Sequence, residues 1–280
     1  MRLRIIYRAE YRYAEPVSFS PHVIRLFPRE SRGLRVESSV FSTNGSAVVQ
    51  WRRDLFDNLT ARCFYPDAER SLGLACDAEL VVQEYNPFEF LLESRALRWP
   101  VEYDPREAAA LAPYRTCHVN VWPDELSPTD GSDTVESIVM MNQWIHANIA
   151  YERREEGEAF APRETLQRGR GACRDTAVLL AAILRSHGLG ARLVSGYLWE
   201  STSDLSARRA DSALHAWTEV YLPGAGWLGL DPSNGVLSDH HYAAAAVGLA
   251  PEDIAPVTGL YYGDYPVSGD LEVSLTVQRL

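Results

Sequence analysis

The segment that runs from Cys173 to Asp231 constrains the fold of this chain more than any other part of its sequence. Gly188 is suited to end a helix that begins near Cys173, because glycine readily takes the left-handed conformation found at helix termini. Strand-like runs follow at 191–198, 215–222 and 227–231, with the turn residues Pro223-Gly224-Ala225-Gly226 before the last. The helix shows the i, i+3, i+4, i+7 spacing of apolar residues in Ala177, Leu180, Ala181 and Leu184. This order predicts one helix followed by a strand and a β-hairpin.

Cys173 lies where the predicted helix begins, directly after Gly171-Ala172. A thiol at a helix N-terminus feels the unpaired backbone N–H groups and the positive end of the helix dipole, which favour the reactive thiolate. The flanking glycines, Gly169 and Gly171, allow a substrate to approach the chain closely. We therefore expect Cys173 to be the most reactive of the four cysteines.

His215 and Asp231 follow Cys173 near the edges of predicted strands. A nearby imidazole would lower the pKa of the thiol further, and a carboxylate would hold the imidazole in its useful tautomer. Taken singly, the three are more simply explained as a buried helix cysteine, a strand histidine and a turn aspartate. Together, in this order and in these local settings, they favour a Cys-His-Asp site. Asp175 complements the helix dipole and is interpreted as structural.

The register of the predicted hairpin decides whether His215 and Asp231 can meet. If Leu222 pairs with Trp227, the two side chains lie on opposite faces of the sheet. If Tyr221 pairs with Trp227 instead, Asp231 lies diagonal to His215, with Cβ atoms within about 7–8 Å of each other. The catalytic interpretation therefore predicts the second register.

The first third of the chain has the pattern of short strands separated by turn residues. Asn44-Gly45 indicates a tight hairpin, because both residues accept positive φ, and 54–58 indicates a second turn. Strands at this spacing predict a β-sandwich-like domain. The strand-like runs are 3–13, 22–27, 34–41, 47–51, 59–65 and 74–85, and a further alternating run lies at 271–277.

Prolines at intervals between residues 87 and 128 mark a junction between two parts of the chain. We predict an N-terminal β domain at 1–90, a connecting segment at 91–130, and a second domain at 131–280 that includes the C-terminal strand. Helical periodicity in the second domain begins near Asp133, which resembles a helix-capping residue.

Composition excludes several classes of function. The formal net charge of -11 over 280 residues argues against a nucleic-acid partner and offers no basic face to an anionic membrane. The first residues are charged without an apolar signal core, and no run approaches transmembrane length, so we expect a soluble cytoplasmic protein. Cys63, Cys76 and Cys117 are expected to be small buried residues. There is no Cys-x-x-Cys spacing, and His240-His241 has no partners at ligand spacing, so no metal or cofactor is predicted.

Four motifs together resemble the transglutaminase-like superfamily, and most of all its bacterial members described as candidate cysteine proteases. The stretches 22–28 and 54–58 are similar to the β domain that precedes the core in such proteins, where glycine usually stands at the position of Asp57. The resemblance implies an α+β fold in which an N-terminal β-sandwich-like domain precedes a papain-like core, with a cysteine-bearing helix packed on an antiparallel sheet. The motifs are Gly171-x-Cys173-x-Asp175-x-Ala177, Ala191-Arg192-x-Val194-Ser195-Gly196-Tyr197, His215-Ala216-Trp217-x-Glu219-Val220-Tyr221 and Gly226-Trp227-x-Gly229-x-Asp231-Pro232-Ser233-Asn234.

The resemblance also implies roles for the three candidate residues. Cys173 would be the nucleophile, His215 the general base and acid, and Asp231 the residue that orients His215. This chemistry predicts a cysteine-dependent amide hydrolase that acts on a peptide or protein through an acyl-enzyme. Two alternatives stay open, a transglutaminase that transfers the acyl group to an amine and a non-catalytic binding module on the same fold.

The oxyanion of such a reaction needs hydrogen-bond donors. The backbone N–H of Cys173 is a natural donor, because it lies at the helix N-terminus. The sequence leaves three candidates for the second donor, Trp144, Tyr151 and Trp217. A role in core packing also accounts for each of them. The substrate and the oligomeric state do not follow from the sequence.

Overall fold

The computed structural model describes residues 1–117, 122–154, 157–199, 213–263 and 269–280. Over these ranges, none of the helices has the length and apolar character needed to cross a membrane. The α-helices of this part of the chain are α1 (Pro105–Ala110), α2 (Thr134–Asn148), α3 (Pro162–Arg168), α4 (Cys173–Ser186) and α5 (Pro251–Ile254). The strands are β1 (Arg2–Phe19), β2 (His22–Ile24), β3 (Leu34–Thr43), β4 (Val48–Arg53), β5 (Leu59–Phe64), β6 (Glu69–Val82), β7 (Ala150–Tyr151), β8 (Arg170–Gly171), β9 (Gly190–Leu198), β10 (Ala213–Leu222), β11 (Gly226–Asp231), β12 (Val236–Leu237), β13 (Tyr242–Gly248), β14 (Val257–Thr258), β15 (Tyr261–Tyr262) and β16 (Gly269–Arg279).

The N-terminal strands form two sheets that share one apolar core. One sheet has the order β15-β1-β6-β3, with β16 also paired to β1, and the other has the order β14-β2-β5-β4. Every second residue of β6 is buried from Leu72 to Val82, which is the period of a strand with one face on a core. The predicted β-sandwich-like domain is therefore confirmed.

The Asn44-Gly45 turn connects the two sheets and does not form a hairpin. Strand β3 pairs with β6 and strand β4 pairs with β5, so the tight hairpin predicted here is wrong. Gly45 does take a positive φ of 72°, but turn residues fix a reversal of the chain and not the partner of each strand. The Asn44 side chain ties the turn to β6 by accepting from the N–H of Gly73 at 2.8 Å and donating to the carbonyl of Ser71 at 3.0 Å.

The turn at 54–58 joins β4 to β5 as predicted. The Asp54 carboxylate accepts hydrogen bonds from the N–H groups of Phe56 and Asn58, each at 2.9 Å. Asp57 takes a φ of 61°, in the left-handed region that favours glycine. A glycine would take this conformation without the strain that a Cβ brings there.

The C-terminal strand belongs to the N-terminal sheet. Strand β16 pairs antiparallel with β1 along its length, from Leu3 opposite Arg279 to Tyr13 opposite Gly269. The sequence grouped this strand with the second domain at 131–280, and the pairing corrects that grouping. Alternation of apolar residues identifies a strand but does not reveal which sheet the strand completes.

The second half of the chain builds an antiparallel sheet with the order β12-β11-β10-β9-β13. Helix α4 packs on β9 and β10. The residues at 177, 180, 181 and 184 are buried in this contact, as their spacing predicts. Helix α2 begins directly after Asp133, whose carboxylate accepts from the N–H groups of the first helical turn, so the predicted cap is also confirmed.

The β10–β11 hairpin has the register that the candidate site requires. Tyr221 pairs with Trp227, and Leu222 pairs with Gly226, so the loop between the strands is residues 223–225. The predicted register is therefore confirmed. It places Asp231 on the same face of the sheet as His215, because each step of one residue along a strand changes the face.

The two halves of the molecule pack directly against each other. Asn58 exchanges two hydrogen bonds with the backbone of Val247 on β13, at 2.8 and 2.9 Å. The Tyr197 hydroxyl donates to the carbonyl of Leu26 at 2.7 Å, and its ring lies in the N-terminal core. Packing is thus continuous across the predicted domain boundaries near residues 90 and 130, and those boundaries stay predictions.

Candidate active site

Cys173 is the first residue of α4, where the sequence places it. Ala172 has an extended backbone, with φ of -79° and ψ of 172°, so the chain turns into the helix at the cysteine. The Asp175 carboxylate accepts from the N–H of Ala172 at 2.7 Å and of Phe160 at 2.8 Å, and it forms an ion pair with Arg154 at 2.7 Å. Asp175 is fully buried, and it fastens the start of the helix that carries the thiol.

Local structure explains why glycine stands at the two positions 169 and 171 before Cys173. Gly169 ends α3 with a φ of 60°, in the left-handed region that favours glycine. A Cβ on Gly171 would lie 2.8 Å from the Cβ of Asp175, so any side chain there would displace that carboxylate. Gly171 is therefore required by packing, whereas a Cβ on Gly169 would meet open space, so the access of a substrate at Gly169 stays a prediction.

His215 and Asp231 meet inside the protein. The Nε2 atom of His215 lies 2.8 Å from Oδ2 of Asp231, and the two side chains are 2% and 0% exposed. His215 lies on β10 and Asp231 ends β11, so the hairpin register brings the pair together. Because Asp231 engages Nε2, the Nδ1 atom of the same ring is the nitrogen left to face the thiol.

The Cys173 thiol and the His215 imidazole lie close enough for each to shift the pKa of the other. Burial alone would raise the pKa of the thiol, but the charge of His215, its hydrogen bond and a backbone hydrogen bond with Ala216 together lower that pKa. Burial alone would lower the pKa of His215, but the charges of Asp231 and Cys173 raise it to about 10. These opposite shifts favour a thiolate–imidazolium pair.

Hydrogen-bond donors surround both oxygens of the Asp231 carboxylate. Oδ2 accepts from His215, from the Tyr242 hydroxyl at 2.7 Å and from the Asn234 side chain at 2.7 Å. Oδ1 accepts from the N–H groups of Ser233 at 2.9 Å and Asn234 at 3.3 Å. Burial alone would raise the pKa of Asp231, but the charge of His215 and these hydrogen bonds lower it. The carboxylate is therefore kept charged and held in one orientation.

Tyr242 and Asn234 both hold Asp231, and neither role was predicted from the sequence. Tyr242 opens β13, at the far edge of the sheet from β11, so its spacing along the chain gives no sign of the contact. Asn234 had a detectable signal, because an aspartate side chain commonly accepts from backbone groups two or three residues further on in a turn. Asp231-Pro232-Ser233-Asn234 is such a turn.

The three candidates for the second oxyanion donor occupy different surroundings. Trp217 is buried and stacks on the His215 ring, with centroids 6.4 Å apart and planes at 21°, so it forms a wall of the site. Trp144 packs at the edge of the apolar core beneath α4. Burial raises the pKa of the Tyr151 phenol, and the charge of Cys173 raises it further, so this phenol lies within electrostatic reach of the sulfur. The identity of the second donor stays a prediction.

Asp239, His240 and His241 bring potential metal ligands within 4.8 Å of one another. Asp239 Oδ1 already accepts from the backbone N–H of His241 at 2.9 Å and contacts its Nδ1 at 3.0 Å. These bonds explain the approach of Asp239 and His241 without an ion. The expectation that the protein needs no metal or cofactor stays a prediction.

Two family models match the chain. Residues 123–232 match the model described as the transglutaminase-like superfamily. This range includes all three candidate residues, Cys173, His215 and Asp231. Residues 3–83 match the model described as the bacterial transglutaminase-like N-terminal region. The resemblance inferred from the sequence motifs is therefore confirmed.

Curated relatives match to different extents. An uncharacterised protein of Mycobacterium tuberculosis is 27% identical over an alignment of 277 residues, and the match covers 93% of this chain and 88% of that protein. An uncharacterised protein of Mycobacterium leprae is 30% identical over 145 residues, and the match covers 52% of this chain and 50%, half, of that protein. A protein-glutamine gamma-glutamyltransferase of Pseudomonas aeruginosa is 30% identical over an alignment of 112 residues, and the match covers 37% of this chain and 16% of that protein.

A solved structure shares the whole architecture. The crystal structure of a candidate cysteine protease from Cytophaga hutchinsonii covers 100% of this chain and 91% of its own, with a TM-score of 0.73. Its sequence is only 15% identical, so the likeness concerns the fold. The predicted α+β fold, with N-terminal strands before a cysteine-bearing core, is confirmed.

Proposed function

The chain carries the transglutaminase-like core behind the bacterial N-terminal region and so belongs to the transglutaminase-like superfamily, and on this premise we propose that it is a cysteine-dependent amide hydrolase with peptide or protein substrates. One observation carries the proposal. His215 is hydrogen-bonded to Asp231 at 2.8 Å and interacts with the Cys173 thiol, and the pKa values of the thiol and the imidazole are shifted in opposite directions. Thiol acyl transfer requires this arrangement.

In the first half of the proposed reaction, the Cys173 thiolate attacks the carbonyl carbon of an amide. The backbone N–H of Cys173, at the N-terminus of α4, donates to the oxyanion that forms. The carbon–nitrogen bond then breaks, and protonated His215 gives its proton to the leaving amine. The acyl group stays on the sulfur as a thioester, while Asp231 keeps the imidazole oriented.

In the second half, neutral His215 accepts a proton from a water molecule as that water attacks the thioester. The carbon–sulfur bond breaks, a carboxylic acid leaves, and the thiolate–imidazolium pair is restored. If a primary amine attacks in place of water, the product is a new amide. The identity of the acceptor therefore separates a hydrolase from a transglutaminase.

A protein-glutamine transglutaminase is the second candidate function. The similarity to the Pseudomonas aeruginosa glutamyltransferase favours it, and that match spans 37% of this chain. Both candidates use the same acyl-enzyme and the same three residues. A binding module is less favoured, because it has no need of an imidazole placed between a thiol and a buried carboxylate.

Intact-mass spectrometry after incubation with a glutamine-rich protein and a small primary amine distinguishes these functions. We expect peptide cleavage or conversion of glutamine to glutamate, and we expect neither with Cys173→Ala. Cys117→Ala is the matched control and should keep the activity, because that thiol lies elsewhere and donates to the carbonyl of Ala182. Amine addition would favour the transglutaminase, whereas no change across a panel of unfolded proteins would contradict both enzymes.

A cytoplasmic location belongs to the same proposal. So does the absence of a nucleic-acid or membrane partner, which the net charge of -11 supports. Fractionation of cells that express the tagged protein tests the location directly.

A further inference from the structure

The short strand β7 presents a free main-chain edge close to the candidate site. It pairs in parallel with β8, with Tyr151 level with Gly171. The N–H of Ala150 donates to the carbonyl of Gly169 at 2.8 Å, and the N–H of Glu152 donates to the carbonyl of Gly171 at 2.9 Å. Because main-chain groups alternate in direction along a strand, the N–H and carbonyl of Tyr151 point away from β8. Among the described residues, no strand pairs with that side of β7.

A groove of about 660 Å³ runs along this part of the chain, lined by residues 146–151 and Gly169. Ala147, Asn148 and Ala150 are exposed along the groove, and Tyr151 is half-buried at its end. The volume lies within the range of about 300–1,000 Å³ that ligand sites occupy. The groove therefore has room for a stretch of extended polypeptide.

Structural contacts connect the two ends of the groove to the catalytic candidates. At one end, Tyr151 on β7 lies level with Gly171 on β8, two residues before Cys173. At the other end, Nδ1 of His146 donates to the carbonyl of Ser233 at 2.8 Å, two residues after Asp231. A chain bound along β7 is thereby directed toward the thiol.

We propose that the substrate is an extended polypeptide segment that adds to the free edge of β7 as a β-strand, held by main-chain hydrogen bonds to Tyr151. The inference rests on the proposed function of Cys173 and names its substrate class, which is a flexible chain segment and not a small amide or a folded surface. Main-chain pairing gives affinity with little dependence on sequence, because every residue except proline carries the same donor and acceptor. Side chains at alternate positions then set the preference among segments.

A scan with peptides methylated at one main-chain nitrogen at a time tests this pairing. The probe is a glutamine-rich peptide, and its Kd is measured on the Cys173→Ala variant, so the result does not depend on turnover. We expect methylation of the one peptide N–H that donates to the Tyr151 carbonyl to weaken binding about tenfold, because it removes that hydrogen bond, and methylation at the neighbouring positions to change little. One sensitive position supports the proposal, and a flat profile or no binding overturns it.

Turnover by the wild-type protein keeps the two proposals separate. Cleavage or deamidation of the unmethylated peptide together with a flat methylation profile would uphold the proposed function and reject strand addition. One sensitive position without any turnover would uphold strand addition and count against the hydrolase.

Filling the groove gives an independent test. Ala147→Arg places a long side chain on an exposed position of the groove, and we expect it to raise KM for the peptide about tenfold, a loss of about 1.4 kcal/mol in binding, while kcat stays nearly unchanged. Gln143→Arg is the matched control, because Gln143 is exposed on the same helix one turn earlier and does not line the groove. Equal KM values for the two variants would contradict binding along β7.

Discussion

Replacing Cys173 with alanine is expected to lower kcat for amide turnover by on the order of 10⁶-fold. The substitution removes the atom that forms the acyl-enzyme, and His215 then has no thiolate to pair with. Cys63 and Cys76 cannot substitute, since both are buried, and burial raises the pKa of Cys76 to about 11. The measurement is kcat on the substrate that the mass assay identifies, with wild type and variant purified side by side.

The fold should survive this substitution. Cys173 is only partly buried, and alanine suits the first position of a helix, so the free energy of unfolding should change by no more than about 1 kcal/mol. Cys173→Ser should also be inactive, because a hydroxyl does not ionise at neutral pH as the thiol does. Turnover that survives in both variants while Cys117→Ala alone loses it would show that the nucleophile is misassigned.

Replacing Asp231 with alanine is expected to lower kcat by about 10⁴-fold, because His215 loses the partner that orients its ring and stabilises its charge. The change should also destabilise the protein, by about 3–5 kcal/mol, since it leaves buried donors without an acceptor. Those donors include the imidazole of His215, the Tyr242 hydroxyl and the Asn234 amide. Steady-state kinetics and urea unfolding on the same preparation measure the two effects.

Asparagine at this position should give an intermediate result. For Asp231→Asn, the amide oxygen can replace Oδ2 and still accept from His215, so more activity is kept than with alanine. The amide nitrogen then faces the N–H of Ser233, and two donors meet, which should cost about 1–3 kcal/mol of stability. Asp239→Asn is the matched control, because Asp239 also contacts a histidine ring, that of His241, outside the triad. A kcat near that of wild type in Asp231→Ala would mean that another group orients His215.

Much of the site follows from sequence because it depends on local rules. The glycine that ends α4, the spacing of its apolar residues and the even steps of a β-hairpin are all short-range features. The register that aligns Tyr221 with Trp227 is the clearest case, since it decides the face on which Asp231 lies. A local rule sufficed there because both strands belong to one hairpin.

Features that depend on distant partners could not be found in this way. The Tyr242 hydroxyl contacts Asp231 from another strand of the sheet. Strand β16 pairs with β1, although the two strands lie far apart along the sequence. The Asn44-Gly45 turn shows the same limit, because a reversal of the chain is compatible with a hairpin and with a step between two sheets. In each case the pairing is chosen by tertiary packing, which leaves no periodic signal in the sequence.

The rate of iodoacetamide labelling at each cysteine as a function of pH, read by peptide mapping, tests the central claim that Cys173 is a thiolate paired with His215. The lowered pKa of Cys173 predicts fast labelling at neutral and mildly acidic pH, well below the ordinary thiol pKa of 9.0, ahead of Cys63 and Cys76. In His215→Ala the imidazole no longer offsets burial, so the midpoint for Cys173 should move above 9.0. A midpoint for Cys173 at the ordinary thiol value, unmoved by His215→Ala, would contradict the account.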